Sequence, residues 1–233
     1  MMNETNLMKE ILEFDTPTIT NVIGTFPNQE TCLGLYNPWE SNWYTDETLH
    51  CMFPEHGRRV GHVVTVVYGM PDTFNRLGFV DILKAIEATP GPVVLAIKQN
   101  FPENIKKKNG LLGGNMLTAY KQMGVCGILT DGPSRDLEEI RPLGIQCMFT
   151  GVSPSHGNFS IQAINVPVHI CGMDVCPGEI IHMDENGAVK FPANRLDDIV
   201  KNARALQVNE EIIQAAIRMA QTPEEIAAAM KRK

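Results

Sequence analysis

The chain has 233 residues, of which 43% are hydrophobic and 20% are charged, and its formal net charge is −7. These values are ordinary for a globular protein with one good-sized core, and the negative charge argues against a nucleic-acid partner held by bulk electrostatics. No run of about 18 uninterrupted apolar residues occurs, so we expect no membrane span.

The cysteines and the first residues of the chain bear on its location. The six cysteines form no CxxC pair, and the histidines show no HxxxH or HxH spacing. Reduced thiols are therefore favoured over zinc sites or disulfides. The start of the chain also lacks the basic residues, apolar core and small-residue cleavage site of a secretion signal. We expect a cytoplasmic protein.

Helical patterns begin the chain, and an irregular segment follows them. One apolar helix face is formed by Leu7, Met8, Ile11 and Leu12. The helix-start signal Asp15–Pro17 leads into Thr18–Ile23. Residues 28–56, which include both tryptophans, show little periodicity and are interpreted as an insertion. We expect Trp39 and Trp43 to attach this insertion to the body of the protein.

From Val60 onward the pattern is that of an α/β protein. Apolar, β-branched runs predict four buried strands: Val60–Tyr68, Pro92–Ile97, Val125–Thr130 and Ile145–Thr150. Helical spacing predicts three helices among them: Phe79–Glu87, Asn115–Met123 and Ser134–Arg141. This alternation favours crossover connections and a largely parallel sheet.

The second half of the chain adds antiparallel strands and a helical end. Two hairpins are predicted, with strands Val166–Cys171 and Met173–Cys176, and Glu179–Met183 and Ala188–Phe191. Three further helices are predicted: Ala193–Leu206, Glu210–Ala220 and Thr222–Met230. The sequence therefore predicts a single α/β domain, residues 1–233, with mixed parallel and antiparallel sheets and a helical C-terminal extension.

Two loops that follow strands carry the candidate site residues. The glycine loop Gly110–Met116 precedes a helix, and backbone amides at a helix start bind carboxylates or phosphates. The segment Asp131–Asp136, reading DGPSRD, follows a buried strand at the edge of the sheet where ligands bind. Arg135 offers a planar fork for a carboxylate. Asp136 is an oxygen ligand suited to Mg²⁺ or Mn²⁺.

Each loop also has a purely structural interpretation. The glycine loop can be a tight strand–helix turn, Asp131-Gly132 can be a turn, and Ser134 can be a helix N-cap. Arg135-Asp136 can be a solvated helix start. The two loops together are more informative, since amides and an arginine can hold one small carboxylate from two sides while a metal polarises the neighbouring carbonyl.

The order and spacing of these motifs resemble a known family. The run GGNMLTAYKQMGVCGILTDGPSRDLEEIRPLGIQCMFTGVSP is similar to the core of the family of the regulator of ribonuclease activity A, which also contains the 4-hydroxy-4-methyl-2-oxoglutarate aldolases. GRRVGHVVTVVY, PGPVVLAI and VPVHICGMDVCPGEIIHMDENGAVKFP resemble flanking segments, so the resemblance covers roughly Thr16–Phe191. It implies an α/β/β/α sandwich of the swivelling-domain type, assembled as a homotrimer or hexamer with the site at a subunit interface.

The resemblance also implies an activity. It is that of a lyase dependent on Mg²⁺ or Mn²⁺, which cleaves or decarboxylates 2-oxo acids through a pyruvate enolate. Asp136 would hold the metal and Arg135 the pyruvyl part of the substrate. The substrate-binding loop would consist of Gly113, Gly114, Asn115 and Met116, with the last two amides on the substrate carboxylate. No Schiff-base lysine is needed, and Lys106–Lys108 are expected to be exposed.

Acidic residues other than Asp136 leave alternatives open. In the family a further acid comes from the C-terminal region of a neighbouring subunit, and Glu210 or Glu211 is the candidate, with Glu211 assigned the catalytic role. A solvated helix start is the alternative for at least one of them. Active aldolases commonly have an acid where this chain has Gly114, which supports the alternative of a non-catalytic, protein-binding regulator. Asp136, which the regulatory members lack, favours the lyase.

Overall fold

The computed structural model describes residues 3–26 and 29–231. These residues form two compact units. The sheet unit is Asn42–Asn194, and the helical unit comprises the described parts of Met1–Ser41 and Arg195–Lys233. The single domain expected from the sequence is not tested by this division and stays a prediction.

Helices and strands cover most of the described residues. The α-helices are α1 (Glu4–Glu10), α2 (Thr16–Ile23), α3 (Phe79–Glu87), α4 (Glu103–Lys106), α5 (Gly114–Gln122), α6 (Leu137–Ile140), α7 (Leu196–Met219) and α8 (Pro223–Met230). The strands are β1 (His50–Cys51), β2 (Arg59–Gly69), β3 (Val93–Asn100), β4 (Val125–Thr130), β5 (Gln146–Phe149), β6 (Ser160–Ile164), β7 (Val168–Ile170), β8 (Met173–Val175), β9 (Ile180–Asp184) and β10 (Gly187–Phe191).

One mixed sheet organises the sheet unit. Its strand order is β1-β5-β4-β3-β2-β9-β10, and β6 pairs with β2 beside this path. The neighbours among β2 to β5 pair in parallel, whereas β1, β6, β9 and β10 pair with their neighbours in antiparallel fashion. The predicted α/β class with mixed strand directions is therefore confirmed. Because β3, β4 and β5 are parallel, the loops that follow them meet at one edge.

Alternating side chains of the central strands supply two cores. In β3, Leu95 and Ile97 belong to the cluster that packs with α3 and α5, whereas Val94 and Ala96 belong to the cluster that includes the hairpin β7–β8. The central strands are thus buried on both faces, which gives nearly continuous apolar runs in the sequence. Within this unit the layers are helices, the main sheet and the hairpin.

The helical unit has well-defined helix starts and one departure from expectation. Asp15 caps α2 by accepting a hydrogen bond from the amide of Thr18 at 2.8 Å, and Thr222 forms the predicted capping box of α8. The break predicted between Leu206 and Glu210 is wrong, because α7 continues through it; no glycine or proline lies there to interrupt the helix. Among the described residues no helix is both long and apolar enough to cross a membrane.

The segment interpreted as an insertion is divided between the two units. Trp43 is 1% exposed and belongs to the core of the sheet unit, as expected. The expectation for Trp39 is wrong, because 90% of this side chain in the helical unit is exposed. Further along the segment, β1 pairs with β5 as an edge strand of two residues. Asn28, where the insertion was expected to begin, lies outside the described residues.

Candidate functional site

Three loops run side by side beyond the ends of β3, β4 and β5. Ser134 forms parallel bridges with Leu112 on one side and with Val152 on the other. Its hydroxyl donates to the carbonyl oxygen of Leu112 at 2.7 Å, and its amide donates to that of Gly151 at 3.1 Å. Through Ser134, the DGPSRD segment is therefore bonded to the glycine loop on one side and to the loop after β5 on the other. Ser134 is not an N-cap, and the helix predicted to begin at Ser134 begins only at Leu137.

Arg135 and Asp136 lie against the glycine pair Gly113-Gly114. Nη1 of Arg135 donates to the carbonyl oxygen of Gly110 at 2.6 Å. A Cβ added to Gly113 would lie 2.6 Å from Oδ2 of Asp136 and 2.8 Å from Nη2 of Arg135. Such short contacts mean that glycine is needed for this close approach. The structure thus brings together the two loops that the sequence singled out.

The backbone of Asp136 allows its carboxylate to contact the glycine loop. Asp136 has φ 59°, in the left-handed region, and is the residue immediately before α6. Its Oδ2 accepts a hydrogen bond from the amide of Gly114 at 3.2 Å and lies 3.3 Å from Nε of Arg135. Residues other than glycine are uncommon in this region of conformational space, and those that adopt it cluster at functional sites.

The N-terminus of α5 provides the amides expected for a bound carboxylate. The first hydrogen bond within α5 runs from the amide of Leu117 to the carbonyl oxygen of Gly113 at 3.1 Å. The amides of Asn115 and Met116 precede this bond and therefore belong to the positive end of the helix. Carboxylates bind favourably at such ends.

Glu139 fills the space beside Gly114 in which a side chain would otherwise lie. The amide of Glu139 donates to the carbonyl oxygen of Asp136 at 3.0 Å, so these two acids are about one turn apart. A Cβ at Gly114 would overlap Oε2 of Glu139 and would lie 3.0 Å from its Cβ. The sequence interpretation assigned no role to Glu139.

A cleft of about 300 Å³ lies between the end of the DGPSRD segment and the loop that follows β5. Its lining residues are Arg135, Asp136, Leu137, Val152, Ser153 and Pro154. Charged groups are thus combined with apolar ones, and Val152 is 59% exposed. This volume is at the lower end of the range for small-molecule sites, so it suits a small ligand.

Asp131 is more than a turn residue. Its Oδ1 accepts a hydrogen bond from the amide of Gln99 at 2.7 Å, and its Oδ2 accepts from Nζ of Lys98 at 2.6 Å and from Nζ of Lys106 at 3.3 Å. The expectation that Lys106 is exposed is wrong, since 16% of its side chain is accessible. Burial lowers the pKa of Lys106, but Glu103 and Asp131 outweigh this effect and raise the pKa overall. Asp131 therefore holds the start of the DGPSRD segment to the end of β3 and to Lys106.

Asp136, which lines the cleft, and the nearby Glu139 suit a divalent cation whose remaining ligands are water or substrate. Among the described residues no group of three or more His, Cys, Asp or Glu side chains is arranged to hold a metal. Mg²⁺, however, is commonly held by one or two carboxylates together with water and substrate oxygens. Asp136, with 34% of its side chain exposed, provides one carboxylate, and Glu139 provides another close by.

The C-terminal acids lie in the helical unit. Glu210 and Glu211 are in the middle of α7, so the alternative that they begin a helix is wrong. Glu211 is exposed, whereas Glu210 is partly buried, and burial followed by the nearby Asp15 raises the pKa of Glu210. The catalytic role of Glu211 depends on a neighbouring subunit and stays a prediction.

Similarity to known proteins agrees with this picture. The model of the RraA-like family, described as Aldolase/RraA, matches residues 40–190. An uncharacterized protein of Methanocaldococcus jannaschii is 34% identical over 113 residues, which cover 48% of this chain and 54% of that protein. A 4-hydroxy-4-methyl-2-oxoglutarate aldolase of Thermus thermophilus is 29% identical over 86 residues, which cover 36% and 52% respectively. The chain therefore spans about half the length of these curated relatives.

A solved structure with the same fold supports the family match. Streptomyces coelicolor RraAS2, described as an unusual member of the RNase ES inhibitor RraA protein family, matches with a TM-score of 0.71 and 21% identity, over 94% of this chain and 99% of that chain. At this identity the likeness establishes the fold alone. Since the family model covers more than half of the sequence and the fold agrees with it, this chain belongs to the RraA-like family.

Proposed function

We propose that the chain is a divalent-metal-dependent lyase that cleaves or decarboxylates small 2-oxo acids, as a 4-hydroxy-4-methyl-2-oxoglutarate aldolase or an oxaloacetate decarboxylase does. The observation that carries the proposal is the close contact of the Arg135 and Asp136 side chains with the backbone of Gly113-Gly114 at the N-terminus of α5. The name of the Thermus thermophilus relative supports the reaction class. Mg²⁺ or Mn²⁺ as cofactor and a cytoplasmic location are parts of the same proposal.

The proposed substrate site has complementary charge for the carboxylate of a 2-oxo acid. Nη1 of Arg135 is engaged by the carbonyl oxygen of Gly110, which fixes the plane of the guanidinium group. The other N–H groups of Arg135 can then bind one side of the substrate carboxylate. The amides of Asn115 and Met116 bind it from the other side, so the substrate is oriented before any bond breaks.

The chemistry requires stabilisation of negative charge on the keto oxygen. A divalent cation held by Asp136 would supply a Lewis acid for that oxygen. Aldol cleavage and decarboxylation place charge on the same oxygen, so one site can serve both reactions. Glu211 of a neighbouring subunit is proposed as the further acid of the site.

We also propose that the protein is a homotrimer or a pair of trimers, with α7 at the contact between subunits. Val208 and Ile212 on α7 are 51% and 54% exposed and lie beside Glu211. Exposed apolar residues that share a surface support an interface. Sedimentation is expected to give masses in multiples of three chains, and a monomer would remove Glu211 from the proposed site.

The direct experiment is an assay of pyruvate release. Purified protein with Mg²⁺ or Mn²⁺ is expected to release pyruvate from oxaloacetate or from a 4-hydroxy-2-oxo acid, and EDTA is expected to abolish the release. If none of several such substrates yields pyruvate above the background of the metal alone, the lyase proposal is wrong.

One observation favours a second candidate, a non-catalytic regulator that binds another protein. Gly114 contributes no acidic side chain to the glycine loop, where the resemblance to active aldolases leads us to expect one. A regulator would retain the fold and the assembly without any metal-dependent release of pyruvate. The same assay therefore separates the two candidates.

A further inference from the structure

We propose that Glu139 is the second anionic group of the cation site and that it reaches this site through the space that Gly114 leaves open. The inference rests on the proposed cation site at Asp136 and adds a positioning residue to it. Neither the family match nor the motifs of the glycine loop assign any role to Glu139.

The first argument is the fit between Glu139 and Gly114. The three atoms nearest to a Cβ built on Gly114 all belong to Glu139: Oε2, which it would overlap, Cβ at 3.0 Å and Cδ at 3.2 Å. A side chain at position 114 and the present position of Glu139 are therefore mutually exclusive. The space beside Gly114 is filled by a side chain from α6 and not by one from the loop itself.

The second argument is the convergence of two carboxylates on one residue. Oδ2 of Asp136 accepts a hydrogen bond from the amide of Gly114. Oε2 of Glu139 lies where a Cβ atom of residue 114 would be. Asp136 immediately precedes α6, and the amide of Glu139 donates to its carbonyl oxygen at 3.0 Å, so a single turn of the chain separates the two acids. Both acids therefore border the same end of α5.

The third argument is charge. Two carboxylates beside one residue repel each other unless positive charge lies close to both. Arg135 lies 3.3 Å from Oδ2 of Asp136, and its Nη1 is already engaged by Gly110. A divalent cation would neutralise the pair, with Asp136 as its ligand and Glu139 as an acceptor for water molecules that complete its shell.

Titration calorimetry of the purified full chain with Mn²⁺ alone tests this inference without any assay of activity. Glu139→Gln keeps the size of the side chain but removes its charge, and it is expected to weaken Mn²⁺ binding by roughly 10–100-fold. Glu138→Gln is the matched control, because Glu138 is an exposed acid on the same turn and is not among the atoms nearest to Gly114. It is expected to change the Kd by less than about twofold.

A relocation variant sharpens the test. Glu139→Ala combined with Gly114→Asp returns a carboxylate to the same space from the loop instead of from α6, and most of the lost Mn²⁺ affinity is expected to return. Circular dichroism of each variant establishes that it is folded. Mn²⁺ binding to Glu139→Gln that equals binding to the wild type and to Glu138→Gln would overturn the inference.

Failure of this inference and failure of the proposed reaction are distinguishable. Mn²⁺ affinity that depends on both Asp136 and Glu139, without pyruvate release from any substrate, supports the cation site and contradicts the lyase. Pyruvate release with Mn²⁺ affinity that is indifferent to Glu139 contradicts this inference and leaves the lyase standing. A wild-type protein that binds no Mn²⁺ overturns both.

Discussion

The amide of Gly114 donates a hydrogen bond to Oδ2 of Asp136 at 3.2 Å, between two loops whose residues are 22 apart in the chain. This contact fixes the carboxylate of Asp136 at the positive end of α5, where the helix dipole stabilises negative charge. The position of the proposed metal ligand therefore depends on the backbone of the glycine loop. Changes in either loop are expected to affect ligand and cation binding together.

Arg135→Lys is expected to weaken binding of the substrate carboxylate. Lysine retains the positive charge but loses the planar fork and the bond from Nη1 to the carbonyl oxygen of Gly110. The loss of a charged hydrogen bond amounts to about 1.5–3 kcal/mol, or roughly 10–100-fold in kcat/KM. Steady-state kinetics with oxaloacetate measure this ratio, and a value within about twofold of the wild type would show that Arg135 does not bind substrate.

Gly113→Ala is expected to reduce activity far more than stability. The added Cβ would press on the ends of two flexible side chains, Oδ2 of Asp136 at 2.6 Å and Nη2 of Arg135 at 2.8 Å. Their displacement by about 1 Å can lower the rate by roughly 100-fold. Gly157→Ala is the matched control, since a Cβ there meets nothing within 4 Å. Equal activities of the two variants would contradict the proposed geometry.

Asp131→Asn is expected to reduce stability through the loss of a buried charge. Asp131 is 7% exposed and pairs with Lys98 at 2.6 Å and Lys106 at 3.3 Å. Removing one partner of a buried pair leaves cations uncompensated, and because the lysines are partly accessible we expect a loss of about 2–3 kcal/mol. Urea unfolding measures it. Asp174→Asn serves as control, since Asp174 and its partner His169 are both exposed and we expect a change under about 0.5 kcal/mol.

Glu210→Gln is expected to raise stability at neutral pH. Burial and the nearby Asp15 raise the pKa of Glu210 above its ordinary value of 4.5, so the folded state resists ionisation of this group. The loss of folding free energy caused by ionised Glu210 is complete at pH values above the raised pKa. It is absent at pH values below the ordinary pKa, because the group is then protonated in both states. The gain from glutamine, at most about 0.5 kcal/mol, should be present at pH 7 and vanish below about pH 4. Thermal melts at the two pH values measure it, and a gain that is independent of pH would contradict this cause.

Local patterns in the sequence predicted the elements with strong periodicity. The helix Phe79–Glu87 and the strand Val125–Thr130 have the predicted bounds, and β7 and β8 lie within the predicted segments. In the second hairpin β9 extends one residue beyond the predicted segment, to Asp184, and β10 begins one residue before it, at Gly187. The short strand β1 and the half-buried β6 were missed, because their apolar patterns are weak and their partners lie far away in the chain. The continuity of α7 was missed because polar residues in its middle resembled a loop.

The sequence predicted only those parts of the candidate site that lie in a recognisable motif. The glycine loop and DGPSRD were identified separately, and the geometry of parallel strands predicted that they meet. The burial of Asp131 was not predictable, since it depends on Lys98 and Lys106 from other segments. Glu139 was not predictable either, because its relation to Gly114 exists only in three dimensions. The missing acid in the loop was the only available signal.

The most direct test of the central claim is the initial rate of pyruvate formation from oxaloacetate with Mg²⁺, compared between the wild type and Asp136→Asn. Asparagine preserves the acceptor for the amide of Gly114 but removes the charge that would hold the cation. We predict a wild-type rate well above the background of the metal alone and a variant rate lower by about 100-fold or more. Equal rates for the two proteins, or a wild-type rate at background, would contradict the account.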